Sequence, residues 1–306
     1  MTSPSDQIAD QTADRTADRT AAPPATATLL VSCSDRTGLV AALSEFVYEQ
    51  GGNILDADQH AEVETGLFFM RLRWTLADFK LSRSEIAGAM EILGTRFDLG
   101  WELTYSDVRP RVAVFASTAP HCLYDLLLAQ QLGELGGDLV LVISNHEALR
   151  PVAGHFGVRF EHVPVDKADK GAAEAAQEAL LASSRVDLVV LARYMQILSP
   201  EMVARWPARI INIHHSFLPA FVGAKPYHQA KARGVKIIGA TAHFVTRELD
   251  QGPIIEQDVC RVSHRDDVAE LMRKGGELER RVLTSAVRLH LERRVLVSGN
   301  RTIVFG

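Results

Sequence analysis

The sequence predicts an α/β protein with two folded parts, a small α+β sandwich followed by an open α/β domain with a mostly parallel sheet. A change in the order of predicted strands and helices leads to this expectation. Residues 28–108 read as strand, helix, strand, strand, helix, strand, whereas short apolar strands alternate with helices over 109–306. Ahead of both, residues 1–27 are rich in Thr, Ala and Asp, and we expect them to form a disordered tail.

Six consecutive segments predict the first part. Helical segments repeat apolar residues every three or four positions, and strand segments are rich in β-branched and aromatic residues. Gly51-Gly52 ends the first helix, and Glu64-Thr65-Gly66 turns a hairpin. The segments are a strand at 28–33, a helix marked by Leu39, Val40, Leu43 and Val47, strands at 54–63 and 67–74, a helix marked by Ile86, Met90, Leu93 and Phe97, and a strand at 99–105. Two βαβ halves of this kind make a ferredoxin-like sandwich.

The second part contains continuous apolar strands, which indicate a sheet that is buried on both faces. Ligands of such open sheets bind at the carboxyl ends of the strands. Ser263 and Asp266 have capping-box spacing at the start of a long helix, and Gly299-Asn300 is expected to turn a terminal hairpin. The predicted strands are 111–116, 139–143, 188–191, 237–246, 295–298 and 302–305, and the predicted helices include 123–135 and 170–182.

Charge and composition disfavour several classes of partner. The net charge of −5 gives no bulk attraction to nucleic acid or anionic lipid. No apolar run approaches the ~20 residues of a membrane-spanning helix. The cysteines Cys33, Cys122 and Cys260 are too sparse for a disulfide framework or a zinc site. We therefore expect a cytoplasmic protein without nucleic-acid or membrane partners.

The run from Ile210 to Pro219 carries the most chemical information. Because side chains alternate along a strand, Asn212 and His214 are expected to share one face and His215 to face the other way. An amide donor and an imidazole together can hold an oxygen that becomes negative during attack on a carbonyl. The alternative is that both side chains finish a buried strand with satisfied hydrogen bonds.

A carboxylate follows the next strand. Asp250 precedes Gly252-Pro253, which marks a tight turn. From such a turn the carboxylate can orient His214 or accept a proton from water. A solvated turn aspartate is the competing interpretation.

These residues resemble the formyltetrahydrofolate formyltransferase and hydrolase family, which carries N-x-H-x-S-x-L-P followed by L-D-x-G-P. The two motifs stand here at 212–219 and 249–253. The double histidine and the runs at 192–198 and 226–230 are similar to the formyltetrahydrofolate deformylase branch. The resemblance covers 111–306, and it implies that the catalytic residues are Asn212, His214 and Asp250.

The resemblance also implies the reaction. We expect hydrolysis of 10-formyltetrahydrofolate to formate and tetrahydrofolate, which supplies formate for purine biosynthesis and balances one-carbon pools, without a cofactor or a metal. Core packing is the competing interpretation of Met195 and Leu198. The expected substrate-binding residues are Arg193, Tyr194, Met195, Ile197, Leu198, His215 and Gly223.

The first part resembles an ACT domain, a module that often binds amino acids. The match lies in the loop at 34–39, and Asp35, Thr37 and Gly38 are the expected regulatory-ligand residues. The resemblance implies glycine or methionine as the effector. It also implies a homo-oligomer, expected to be a tetramer, because edge-to-edge pairing covers exposed strand edges.

Three other functions remain open. The first is formyl transfer to an amine, as in phosphoribosylglycinamide formyltransferase, but the loop at 116–123 lacks glycine, and Pro120 lacks an N–H to cradle phosphate. The second is a metal-dependent hydrolase, since His121, His214, His215, His228 and His243 are numerous; no H-E-x-x-H spacing supports it. The third is a non-catalytic folate or amino-acid sensor.

Overall fold

The computed structural model describes residues 24–166, 168–219 and 226–306. Residues 1–23 of the predicted tail therefore lie outside the described residues. The predicted boundary of the tail is wrong by two residues, because the first strand begins at Thr26. Ala27 is fully buried and pairs with Trp74 on one side and Tyr105 on the other.

The first sheet is antiparallel and has two helices packed on one face. Its strands lie in the order β2-β3-β1-β4. The predicted order of elements is confirmed, with shifts of a few residues at the ends. The elements are β1 (Thr26–Ser34), α1 (Leu39–Glu49), β2 (Ile54–Glu62), β3 (Leu67–Thr75), α2 (Arg83–Phe97) and β4 (Gly100–Tyr105).

Both faces of the inner strands β1 and β3 are buried over most of their length. Alternation along β1 directs Leu29 and Val31 toward the helices, where they join the core of the first part. Leu30 points the other way and packs with Phe69 and Phe305. The second face is thus covered by the last residues of the chain.

The second sheet has seven strands in the order β11-β10-β9-β8-β5-β6-β7. The run β9-β8-β5-β6-β7 is parallel, and β10 and β11 are added antiparallel. The prediction of a mostly parallel sheet is confirmed, although β7 and β11 were not expected. The strands are β5 (Arg111–Ala116), β6 (Asp138–Ser144), β7 (Arg159–His162), β8 (Leu188–Ala192), β9 (Ile210–His214), β10 (Ile237–Phe244) and β11 (Ile254–Arg261).

Helices cover both faces of the second sheet. The residues of α3, α4, α7 and α8 pack on one face, and those of α5 and α6 pack on the other. Within the described ranges, no helix is both long enough and apolar enough to cross a membrane. The helices are α3 (His121–Gln131), α4 (Arg150–His155), α5 (Lys170–Ser183), α6 (Pro200–Arg205), α7 (Pro226–Arg233) and α8 (Val268–Leu291).

Two helix ends differ from the predictions. Helix α3 stops at Gln131 rather than 135, and Gly133 just beyond it takes a left-handed φ of 75°. The capping box predicted at Ser263 and Asp266 forms a turn ahead of α8. Asp267 is the true N-cap, and its carboxylate accepts from the backbone N–H of Glu270 at 2.8 Å.

The predicted terminal hairpin is present as β12 (Val295–Ser298) and β13 (Arg301–Val304), and Gly299 takes a φ of 60° at its turn. Arg301 pairs with Glu62 of β2 at 2.8 Å. The hairpin therefore ties the end of the chain to the first sheet.

Candidate active site

Two polar side chains lie at the carboxyl end of β9, in the interior of the second sheet. Ile210 and Ile211 are fully buried, while Asn212 is half-buried and His214 is 8% exposed. The strand thus begins apolar and ends polar, as expected. Because its neighbour β8 is parallel, the loop after β8 reaches the same edge of the sheet.

The turn after β10 brings a carboxylate to this edge. Asp250 has a φ of 56°, a left-handed conformation that aspartate tolerates better than most residues. A Cβ at position 252 would lie 1.8 Å from the carbonyl oxygen of Phe244, so only glycine fits there. The N–H of Phe244 donates to the carbonyl of Pro253 at 2.9 Å. This close packing fixes the turn that carries Asp250.

His214 and Asp250 meet at this edge. His214 Nδ1 lies 3.3 Å from Asp250 Oδ2. The hydrogen bond from His214 holds the pKa of the Asp250 carboxyl well below its usual range, so the carboxylate is ionised at neutral pH. The opposite ring nitrogen, His214 Nε2, is buried and has no hydrogen-bond partner among the described residues. One nitrogen of His214 is thus oriented by a carboxylate, and the other is available to a reactant.

A second histidine, not predicted as part of the site, orients Asn212. His243 is the register partner of Asn212 across β9 and β10, and its Nε2 lies 3.3 Å from Asn212 Nδ2. His243 Nδ1 is 2.9 Å from the carbonyl oxygen of Phe244, to which it must donate. His243 Nε2 also lies 3.7 Å from Asp250 Oδ1, so this nitrogen stands between the Asn212 amide and the carboxylate. The polar end of the strand predicted at 237–246 was the available signal.

These groups border a cavity of about 400 Å³. The loop after β8 contributes residues 193–198 to its lining. The other polar residues of the lining include Asn212, His214, His215, His243 and Asp250. The cleft is large enough for part of a drug-sized ligand.

The prediction that His215 faces away from His214 is wrong. Both histidines border the cavity, and their ring centroids are 5.3 Å apart. The reason is that β9 ends at His214, so strand alternation stops there. The chain beyond is anchored by Thr241, whose hydroxyl donates to the carbonyl of Ser216 at 2.9 Å and accepts from the N–H of Leu218 at 3.1 Å.

Comparison with known proteins shows which family this chain resembles. A formyl transferase family model matches residues 110–287. A formyltetrahydrofolate deformylase from Synechocystis is 54% identical over 280 residues, which span 92% of this chain and 98% of the relative. The crystal structure of a formyltetrahydrofolate deformylase from Pseudomonas syringae superposes with a TM-score of 0.90 at 46% identity, over 92% of this chain and 95% of that one.

The chain belongs to the formyltetrahydrofolate deformylase family. A glycinamide ribonucleotide transformylase from Symbiobacterium toebii is a more distant structural neighbour. Its TM-score is 0.61 at 35% identity, and the alignment covers 65% of this chain and 95% of the transformylase. The solved deformylase therefore matches a larger share of this chain than the transformylase does.

The residues at which folate binding was predicted divide into two groups. Met195 and Ile197 are each 61% exposed at the rim of the cavity. Tyr194 and Leu198 border it but are buried in the core, where the Tyr194 hydroxyl accepts from Gln177 at 2.8 Å. For Leu198 the structure thus agrees with the core-packing interpretation, and for Met195 it does not.

The remaining predicted folate contacts are the backbone of the loop at 193–198, Arg193 and Gly223. The backbone N–H of Met195 is already bonded to Ser117 Oγ at 3.0 Å, so it is not free to pair with a ligand. Arg193 borders the cavity with a left-handed φ of 61°. Gly223 lies outside the described residues.

A cluster with metal-ligand spacing lies outside the cleft. Ligand atoms of His121, Cys122 and Glu279 lie within 4.8 Å of one another. His121 already hydrogen-bonds Glu279 at 2.8 Å, and Arg193 Nε lies 3.4 Å from the same carboxylate. The Glu279 carboxylate is therefore already paired with protein groups, one of them the Arg193 guanidinium.

The loop assigned to a regulatory ligand is exposed. Asp35, Thr37 and Gly38 all lie at the surface, and the N–H of Asp35 donates to the carbonyl of Gly66 at 2.7 Å. Gly38 takes a φ of 95° as the N-cap of α1, with nothing near its Cβ position. Backbone conformation, rather than a close neighbour in this chain, explains this glycine.

Proposed function

We propose that this chain hydrolyses 10-formyltetrahydrofolate to formate and tetrahydrofolate. The observation that carries the proposal is the meeting of Asn212, His214 and Asp250 at one cleft edge, in a chain 54% identical to a formyltetrahydrofolate deformylase. The reaction supplies formate for purine biosynthesis and balances the one-carbon pools. The reaction is the hydrolysis of a linear amide C–N bond, and the proposed mechanism needs no metal or other cofactor.

His214 is the group that activates water. Its Nδ1–H donates to the ionised Asp250, which leaves Nε2 as the acceptor of the neutral ring. Nε2 takes a proton from water while the water oxygen attacks the formyl carbon. The carboxylate of Asp250 then stabilises the imidazolium that forms.

Asn212 and the newly charged His214 stabilise the oxyanion of the tetrahedral intermediate. His243 supports this role, since it holds the Asn212 amide from the neighbouring strand. The C–N10 bond then breaks, and the proton on His214 passes to N10. Tetrahydrofolate and formic acid leave, the acid ionises to formate by releasing its proton to solvent, and the site returns to its starting protonation.

The folate is expected to enter between the loop at 193–198 and the turn of Asp250. Met195 and Ile197 offer exposed apolar surface to the ring system. Arg193 and His215 also border the cleft. Backbone groups of the loop other than the Met195 N–H are the candidates for pairing with the pterin. Gly223 stays a prediction as a further contact.

Two observations favour hydrolysis over transfer to a phosphorylated amine. The loop before α3 has Pro120 at the N-cap and no glycine, which disfavours a backbone phosphate cradle. His121, at the first position of that helix, is bonded to Glu279. The His121 side chain, which would face an amine acceptor at the start of α3, is thus already engaged by Glu279 of α8.

The first sheet is proposed to act as an ACT regulatory domain. Its βαββαβ order and the exposed loop at Asp35, Thr37 and Gly38 support this assignment. We expect glycine or methionine as the effector, and a tetramer formed through the free strand edges, in a cytoplasmic enzyme. Light scattering that gives a monomer would contradict the oligomer proposal.

Formate release tests the proposal. Purified protein is incubated with 10-formyltetrahydrofolate, with and without glycinamide ribonucleotide. Formate should form at the same rate in both mixtures. Formylated ribonucleotide in place of formate would show a transferase, and the absence of both products would show a non-catalytic binding protein.

A further inference from the structure

One buried carboxylate outside the cleft connects three segments that follow parallel strands of the second sheet. Glu279 of α8 is only 2% exposed. Its carboxylate accepts from His121 Nε2 at 2.8 Å and from the Tyr227 hydroxyl at 2.9 Å, and Arg193 Nε lies 3.4 Å away. His121 opens the helix after β5, Tyr227 lies in the helix after β9, and Arg193 follows β8 directly. Glu279 therefore joins the chain beyond the carboxyl ends of three strands.

The Glu279 carboxyl is ionised although it is buried. Burial alone would raise its pKa, but the hydrogen bond from His121 and the charge of Arg193 hold that pKa below its usual value. A buried carboxylate that loses its partners is costly, so these contacts are kept together. The ionised carboxylate is thus a fixed partner for the Arg193 side chain.

The backbone around these contacts is adapted to them. A Cβ at position 275 would lie 1.9 Å from the Tyr227 hydroxyl oxygen, so Gly275 is what lets that hydroxyl reach Glu279. Arg193 has a left-handed φ of 61°, which is unfavourable for a residue with a Cβ. Strain of this kind persists where the surrounding structure imposes it. The ion pair with Glu279 is a contact that can impose it.

Arg193 extends the influence of Glu279 to the cleft. Among the described residues, Arg193 alone borders both the cleft and a second cavity of about 390 Å³ that Glu279 also borders. It is the first residue of the loop at 193–198, all of which lines the cleft. Two positions further on, the Met195 N–H donates to Ser117 Oγ at 3.0 Å. The start of this loop is thus held by α8 through a side chain and by the loop after β5 through the backbone.

We propose that Glu279 is a positioning residue for the hydrolysis: through Arg193 it fixes the loop at 193–198 against which the folate binds. The inference deepens the proposed function and rests on it. Glu279 does not border the cleft itself, so it acts through Arg193 and not on the substrate. Without this partner, Arg193 is free to leave its strained conformation and the loop shifts. Small displacements of positioning groups can cost up to ~100-fold in activity.

A double-mutant cycle tests the proposal. Glu279→Gln keeps the side-chain shape but removes the charge that pairs with Arg193, and Arg193→Gln removes the opposite charge. Formate release gives kcat and KM, and calorimetry gives the Kd of tetrahydrofolate. Each single variant should raise KM and Kd at least ~10-fold, with a smaller effect on kcat, because the loop is a binding element. The double variant should be no worse than either single one, since both changes break the same contact.

Glu277→Gln is the matched control. Glu277 lies on the same helix two residues before Glu279, but it is exposed and pairs with Arg273. Its replacement should leave KM and Kd at the wild-type values. Combined with Arg193→Gln, it should give the loss of the Arg193 variant alone.

Two results would overturn the inference. One is an unchanged KM and Kd in Glu279→Gln alongside a lower free energy of unfolding in urea, which would show a merely structural role. The other is a double variant whose losses multiply. If Glu279→Gln does not fold, Glu279→Asp takes its place, because the shorter side chain keeps the charge but withdraws it from Arg193.

Failure of the proposed function gives a different result. Wild type that releases no formate but binds tetrahydrofolate would defeat the hydrolysis, and the Kd values of the cycle would still decide whether Glu279 positions the loop. Wild type that neither releases formate nor binds tetrahydrofolate would defeat both.

Discussion

Asp250 Oδ2 lies 3.3 Å from His214 Nδ1, across the gap between the turn after β10 and the end of β9. These residues are 36 positions apart, and they meet because β9 and β10 are neighbours in the sheet. The contact fixes which nitrogen of His214 faces the reactants.

Replacing Asp250 by Asn should lower the rate of formate release by ~100–10,000-fold. The amide has nearly the same shape but no charge to stabilise an imidazolium at His214. Binding of a non-hydrolysable folate analogue, measured by calorimetry, should change little. Asp258→Asn removes a carboxylate from the exposed side of β11 and should keep wild-type turnover; equal losses in the two variants would argue against a special role for Asp250.

Replacing Asn212 or His214 by Ala should also abolish most turnover while the folate analogue still binds. Loss of a donor to the oxyanion typically costs ~100–1,000-fold in rate. Single-turnover assays under saturating substrate measure this step directly. Near-normal turnover in either variant would show that the oxyanion is stabilised elsewhere.

Gly252→Ala should destabilise the protein by ~1–3 kcal/mol and reduce turnover together, because the new methyl group collides with the Phe244 carbonyl and displaces Asp250. Gly88→Ala is the control, since its Cβ meets nothing within 4 Å inside α2. That change should be neutral or stabilising. Denaturant melts with parallel activity assays check both, and an active, fully stable Gly252→Ala protein would contradict the account of the turn.

Thr241→Val should cost ~1–3 kcal/mol of unfolding free energy, because it removes the hydroxyl that holds Ser216 and Leu218 while it keeps the side-chain shape. Turnover should fall as well, since the anchored chain follows His214 and His215. Urea denaturation and formate release measure the two effects. A stable variant with unchanged turnover would show that this anchor is dispensable.

Stability should fall as the pH drops from about 6.5 to about 4. Burial lowers the pKa of His290 from 6.5 to about 4, so the unfolded chain takes up a proton in this window and the folded protein does not. His290→Gln should reduce the slope of unfolding free energy against pH, measured by urea denaturation at several pH values. His264→Gln, at an exposed position, is the control; identical slopes in the two variants would exclude His290 as the source.

Much of the fold follows from local pattern. The strands at 111–116 and 210–214 and the three proposed catalytic residues were predictable, because a buried strand that turns polar at its end and a Gly-Pro turn are local signals. The six-residue helices α4 and α6 are too short to show helical periodicity. The N-cap of α8 was misplaced by four residues, since Ser263 and Asp267 are both N-cap residue types and the capping-box spacing favoured Ser263.

Parts of the site depend on contacts distant in sequence. His243 joins Asn212 only through the register of β9 and β10, which a single sequence does not reveal. Glu279 looks like a residue of the solvent face of an amphipathic helix, yet it is buried by groups from α3 and α7. Such pairings are set by tertiary packing rather than by any local propensity.

Hydrolysis in water enriched in ¹⁸O tests the central claim most directly. Wild-type protein and 10-formyltetrahydrofolate are mixed in that solvent, and the formate is analysed by mass spectrometry, with Asp250→Asn run in parallel. We predict one solvent oxygen in each formate from wild type and almost no formate from the variant. Wild type that releases no labelled formate, or a variant that matches it, would contradict the account.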